Sequence, residues 1–186
     1  HLLDVEIPSN SQLQIIGCNA FYFSIINNIF IPPHVKRICR NAFSSCQQLQ
    51  SVEIPENSEL QVIEGFSFRN TQIESILIPS SFVSFEKGCF YGIRNLNNIK
   101  VMPNNKKFST FNDQFIIEKS SLNNKNFDIL VFAVRNIKIA KIPSFIKVIK
   151  SESFDECLNL KSVEFCDDSE LQIIEKDAFF LASIEN

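Results

Sequence analysis

Glycine is scarce in this chain, with four residues in 186, tryptophan is absent and tyrosine occurs twice. So few glycines leave no glycine-rich phosphate loop to draw, and no calcium-loop pattern occurs either. Histidine occurs twice, and His1 is terminal, so any Ser-His-Asp or Cys-His arrangement would have to use His34. His34 follows Ile31-Pro32-Pro33 and is expected in a solvated loop. The apolar runs fall far short of the roughly 18 residues that a membrane span needs. The net charge of −3 gives no reason to expect a nucleic acid or an anionic membrane as partner. None of the six cysteines forms a C-x-x-C pair, so no zinc site is expected. The Asn-x-Ser/Thr acceptor sequence is missing, which argues mildly against a glycosylated secretory product. No cofactor, no metal and no enzymatic activity are expected.

Phenylalanine, by contrast, occurs 19 times, and its distribution is periodic. Ile-Pro stands at Ile7-Pro8, Ile31-Pro32, Ile54-Pro55, Ile78-Pro79 and Ile142-Pro143, the first four at steps of 24, 23 and 24 residues. A small residue followed by Phe recurs at Ala20-Phe21, Ala42-Phe43, Ser67-Phe68, Cys89-Phe90, Ser153-Phe154 and Ala178-Phe179. Upstream of each Ile-Pro the chain reads apolar-x-x-apolar-x-Ile, as in Leu49, Val52, Ile54, and the same line recurs at Leu160, Val163, Phe165. About seven units align in this way.

Val52-Glu53-Ile54 has the period of a strand with one buried face, and the following proline ends it because it cannot donate to a ladder. A unit this short cannot bury its own apolar face, so the units must stack, with neighbouring strands about 4.8 Å apart and the Ile, Leu and Phe positions in internal columns. "RNAFSSC" and "SESFDEC" are expected to form one helical or 3₁₀ turn each, after a short second strand. The expected fold is an α/β repeat solenoid: a right-handed stack with a parallel β-sheet on one face, short strands and helical turns opposite, and one inserted β-hairpin. Residues 1–186 are expected to make a single domain, a fragment of a longer chain, since the sequence starts and stops inside a repeat.

The insertion spans 103–136, where "FNDQFIIEK" and "FDILVFAV" flank the polar stretch "SSLNNKN" and read as a hairpin that leaves the stack and returns to it. It either covers the core as an edge hairpin or presents its tip, Ser120 to Asn126, as a recognition loop. Cys46 and Cys157 occupy equivalent positions too many repeats apart to bond. Cys18 and Cys39 lie in adjacent repeats and are the closest pair expected, and the thiols are read as free.

Strand alternation frees two outward columns for contacts. One is Asp4, Asn28, Ser51, Ser75, Asn98, Ile139 and Ser162; the other is Glu6, Phe30, Glu53, Leu77, Lys100, Lys141 and Glu164. Phe30, Leu77 and Ile139 are apolar where the core does not require it. The candidate partner-binding residues are therefore Glu6, Phe30, Glu53, Leu77, Lys100, Ile139, Lys141 and Glu164, for a protein partner that anchors on the apolar positions between charges.

The unit "LQSVEIPENSELQVIEGFSF" resembles the Treponema-type leucine-rich repeat of BspA-like surface proteins, whose repeat reads Leu-x-x-Ile-x-Ile-Pro, then Ile-Gly, then Ala-Phe-x-x-Cys. "IPPHVKRICRNAFSSCQQL" and "IPSFIKVIKSESFDECLNL" follow it nearly throughout, although the family Gly survives only as Gly17 and Gly65 and the Cys only as Cys46 and Cys157. The resemblance implies a cell-surface or secreted protein that adheres to host matrix, host cells or other microbes. Any membrane attachment would lie in segments outside this chain. The alternative is a cytoplasmic leucine-rich-repeat scaffold for protein–protein interaction.

Overall fold

Around Ile29, Val52, Ile76 and Ala140, each an inward apolar residue between two outward ones ahead of a proline, the backbone is extended and pairs with its counterpart one repeat away. The computed structural model describes residues 5–184, so Leu2 and Asp4 lie outside the described residues. The chain divides into two units, His1–Asn105 and Lys106–Asn186.

The first unit contains β1 (Ile15–Ile16), β2 (Asn28–Phe30), β3 (Arg37–Ile38), β4 (Ser51–Glu53), β5 (Val62–Ile63), β6 (Ser75–Ile78), β7 (Ser84–Phe85) and β8 (Asn98–Val101). These make two parallel sheets, β2-β4-β6-β8 from the first strand of each repeat and β1-β3-β5-β7 from the second. Ile29, Val52, Ile76 and Ile99 point inward from the first sheet, and Ile38 and Ile63 from the second. Each Ile-Pro is followed by a turn closed on the proline carbonyl, as in Val35 N–H to Pro32 O (3.1 Å) and Ser58 N–H to Pro55 O (3.0 Å). Between the sheets the spine phenylalanines stack face to face: Phe21 on Phe43 at 5.1 Å, Phe43 on Phe68 at 5.3 Å, Phe68 on Phe90 at 6.1 Å. Phe43 and Phe68 are fully buried.

The expected helical or 3₁₀ turn at each small-Phe step is not there, and no helix occurs among the described residues. The reason lies in the backbone. Two residues per repeat, two before and two after the spine Phe, are left-handed: Asn19 and Phe23, Asn41 and Ser45, Phe66 and Asn70, Gly88 and Gly92. A left-handed residue at every fourth position breaks any helix. The N–H groups alternate instead. Ala42, Ser44 and Cys46 close β-turns onto Cys39, Asn41 and Phe43, while Asn41, Phe43 and Ser45 donate sideways to Gly65, Ser67 and Arg69 of the next repeat. The left-handed residue before each small-Phe pair sits third in its turn, where type II turns need positive φ and favour Gly or Asn. The corner is thus a third inter-repeat ladder rather than a helix, and the solenoid is a β-structure rather than α/β.

One corner glycine is irreplaceable on steric grounds. Gly88 has φ +73°, and a Cβ there would lie 2.4 Å from the Phe66 ring of the preceding repeat. Gly88→Ala is expected to destabilise the first unit by about 2 kcal/mol, the sum of left-handed strain and a ring that must shift. A denaturation midpoint unchanged from wild type would contradict this.

The second unit contains β9 (Phe108–Phe111), β10 (Phe115–Glu118), β11 (Ile129–Ala133), β12 (Ile139–Ile142), β13 (Val148–Ile149), β14 (Ser162–Phe165) and β15 (Ile173–Ile174). The expected hairpin is β10–β11, antiparallel. It does not leave the stack: β11 serves as the second strand of a repeat, pairing in parallel with β13, which pairs with β15. A further strand, β9, pairs antiparallel with β10 across a turn at Asn112-Asp113, both at positive φ, as type I′ hairpin turns require. Ala133 donates its N–H to Ser153 O as the spine phenylalanines do to their neighbours, so alanine stands where a ring belongs. Phe115, opposite Ala133 on β10, fills the gap and meets Phe154 edge-on at 6.1 Å, and Phe154 stacks on Phe179 at 4.6 Å.

Two buried charges tie the insertion in place. Glu118 at the end of β10 is 6% exposed and lies 2.9 Å from Lys107 Nζ and 2.7 Å from Lys150 Nζ. Arg135 is buried over the Phe132 ring and donates to Ala133 O and Ser153 O; burial lowers its pKa, and Cys157, Asp155 and Glu156 oppose that shift. On the last strands, Phe165, Ile173 and Ile174 are about half exposed. Phe165 therefore is not a core residue among the described ones, although it stands in the Ile-Pro position.

Candidate binding face

The outward positions of the first sheet form rows because parallel strands in register place equivalent residues side by side. In the first unit Phe30 is opposite Glu53, and Leu77 opposite Lys100. Ser51 is opposite Ser75, so two residues further on Glu53 lies beside Leu77. The row therefore runs Phe30, Glu53, Leu77, Lys100. A second, polar row runs Asn28, Ser51, Ser75, Asn98, all exposed. Phe30 and Leu77 are half-buried while Glu53 and Lys100 are exposed.

Lys100 Nζ lies 3.5 Å from Glu56 Oε1, with both side chains more than 60% exposed. Such a pair contributes about 0–1 kcal/mol. In the second unit, Ile139 is opposite Ser162 and Lys141 opposite Glu164, whose charged groups are 3.5 Å apart. Ile139 is 45% exposed. Glu6 is exposed and lies on no strand among the described residues. Residues 120–126, the expected loop tip, are all exposed; Asp128 holds the loop base by accepting from Ser120 N–H (2.8 Å) and Ser120 Oγ (2.7 Å).

His34 Nδ1 meets Glu59 Oε1 at 2.9 Å, and that hydrogen bond holds the Glu59 carboxyl below its usual range. His34 is thus one half of a part-buried hydrogen bond. A feature the alternation argument overlooks lies at the corner: the Arg69 guanidinium is 5.7 Å from the Phe66 ring centroid and 5.4 Å from that of Tyr91, a surface cation–π cluster. Its one sequence signal is the extra Phe in "GFSFRN", where other repeats carry Asn, Gly, Glu or Asp.

The BspA type leucine rich repeat region model matches in six copies, over residues 14–131 and 125–186. The chain belongs to the BspA-type leucine-rich repeat family. Among solved structures of similar fold, the pneumococcal vaccine antigen PcpA is 26% identical, with a TM-score of 0.80 over 94% of this chain and 42% of that one. A leucine-rich cell surface protein from Faecalibacterium prausnitzii is 23% identical (TM-score 0.68, 85% of this chain, 44% of that one). A leucine-rich repeat protein from Eubacterium ventriosum is 24% identical (TM-score 0.66, 92% of this chain, 50% of that one). This chain spans half or less of the length of each. No curated protein sequence matches it. The family match and the fold of these neighbours mark it as a leucine-rich-repeat protein. No helix among the described residues is long and apolar enough to cross a membrane.

Proposed function

We propose that this chain is a non-catalytic protein-binding module of a cell-surface or secreted protein, acting in adhesion to host matrix, host cells or other microbes. The observation that carries the reading is the row Phe30, Glu53, Leu77, Lys100: two half-buried apolar side chains alternating with opposite charges on the outward face of a regular sheet. Apolar anchors rimmed by charge are the anatomy of a protein-binding surface. Ile139, Lys141 and Glu164 offer the same chemistry on the second unit, and Glu6 adds charge near the start of the first. Surface placement is supported by the neighbours described as a vaccine antigen and as a cell surface protein.

The test has two parts. Antibody labelling of intact cells should detect the full-length protein; labelling only after permeabilisation would favour the cytoplasmic scaffold. With immobilised extracellular-matrix proteins as probes, the Phe30→Ala/Leu77→Ala double variant should weaken binding at least about tenfold, as loss of interface anchors does. Retention of full affinity by the folded double variant would remove this row from the interface.

A further inference from the structure

The position four residues before the spine Phe has a structural task in three repeats. Where it is Glu64, the carboxylate accepts from Arg40 N–H of the preceding repeat (2.9 Å); where it is Glu86, from Gly65 N–H (3.0 Å); where it is Glu175, from Ser151 N–H (2.9 Å). In the second repeat this position is Cys39, and the residue it reaches back to is Cys18. The pairing of Ile16 with Ile38 puts Gly17 beside Cys39, so the two cysteines are diagonal neighbours on parallel chains. At the usual strand spacing, diagonal neighbours fall in the Cα range that a disulfide bridges. Their sulfur atoms lie within 4.8 Å of each other. Cys18 is exposed and Cys39 half-buried, whereas Cys46, Cys89 and Cys157 are buried.

We propose that Cys18 and Cys39 are an oxidation-responsive pair that closes to an inter-repeat disulfide, locking the first two corners of the solenoid together. The oxidant is a low-molecular-weight disulfide such as oxidised glutathione. The exposed Cys18 thiolate attacks one of its sulfurs, forming a mixed disulfide and releasing one glutathione thiolate. Cys39 then gives its proton to solvent and attacks Cys18 Sγ, releasing the second. Two protein thiols are thereby oxidised by two electrons, and one glutathione disulfide is reduced to two thiols. Burial, then the Glu64 carboxylate, raise the Cys39 pKa, so the second step accelerates as pH rises. Glu64 also lies within 4.8 Å of both sulfurs, which raises the question of a metal. Its Oε1 is held by Arg37 Nη1 at 2.7 Å and its Oε2 by Arg40 N–H, so a cation would have to displace both, and the dithiol chemistry is favoured.

The test is thiol counting. The folded chain is incubated with oxidised glutathione, quenched in acid, alkylated in denaturant and mapped by mass spectrometry. Free thiols should fall from six to four, with no glutathione retained and one linked peptide pair containing Cys18 and Cys39. Cys18→Ser and Cys39→Ser should each give no such link, and urea-unfolded wild type should lose the preference for this pair. Three results would each overturn the proposal. One is glutathione retained on both cysteines. Another is a link from Cys18 to a different cysteine. The third is protection of both thiols by zinc ion alone, with no cross-link on oxidation.

Discussion

Phe43→Ala is expected to lower stability by about 3–5 kcal/mol, the range for deleting a fully buried ring. Phe43 is at zero exposure, with Phe21 stacked on one face and Phe68 on the other, so truncation removes two ring contacts along with the burial. The site cannot collapse to fill the gap. The Phe43 N–H is fixed to Ser67 O at 2.8 Å, and its neighbours donate to Gly65 and Arg69, so the backbone around the cavity is clamped at the repeat spacing. Urea denaturation, with the slope checked for loss of two-state behaviour, measures this. Phe21→Ala is the internal comparison: Phe21 is half-buried with one stacked spine neighbour, so its loss should cost less than half as much. Equal effects at the two positions would argue against a stacked spine.

Glu118→Ala should destabilise the second unit by about 3 kcal/mol, the lower end of the range for removing one partner of a buried ion pair. The carboxylate is almost fully buried, but Lys107 and Lys150 are about a third exposed, and that partial hydration sets the lower end. The substitution removes the carboxylate that the two ammonium groups share. It also frees the end of β10 from both the start of β9 and the end of β13. Glu118→Gln, which keeps the shape and loses the charge, should fall between Ala and wild type. Glu164→Ala is the counterpart at the surface, where Lys141 is 78% and Glu164 50% exposed; its expected effect is below about 0.5 kcal/mol. A Glu118→Ala loss as small as that would mean that water reaches the cluster.

The repeat, its register and the direction of the side chains on β2, β4, β6 and β8 were readable from Ile-Pro, the small-Phe pair and the apolar line between them. These signals are local and recur, so stacking follows from the impossibility of burying one unit alone. The corner was not readable as built. Phe66, Glu152 and Leu181 take left-handed φ values that their own propensities oppose, and Glu152 is held by a sideways bond from its N–H to Asp177 O of the next repeat. Strand β9 was missed because "FSTF" has little contrast between its faces and Asn112-Asp113 is a weaker turn signal than Asn-Gly. That Phe115 supplies the ring missing at Ala133, 18 residues away, follows only from the antiparallel register of β10 and β11. For the candidate face, alternation identified the outward residues on the strands. It could not show that Phe30 and Leu77 are half-buried.

A double-mutant cycle on Phe43→Leu and Phe68→Leu tests the stacked spine most directly, because leucine keeps most of the buried volume and removes the ring-on-ring contact. The structure predicts a coupling of about 0.5–1.5 kcal/mol between the two positions. Additivity within about 0.3 kcal/mol would mean that the rings do not meet, and the register from which the outward rows follow would fall with them.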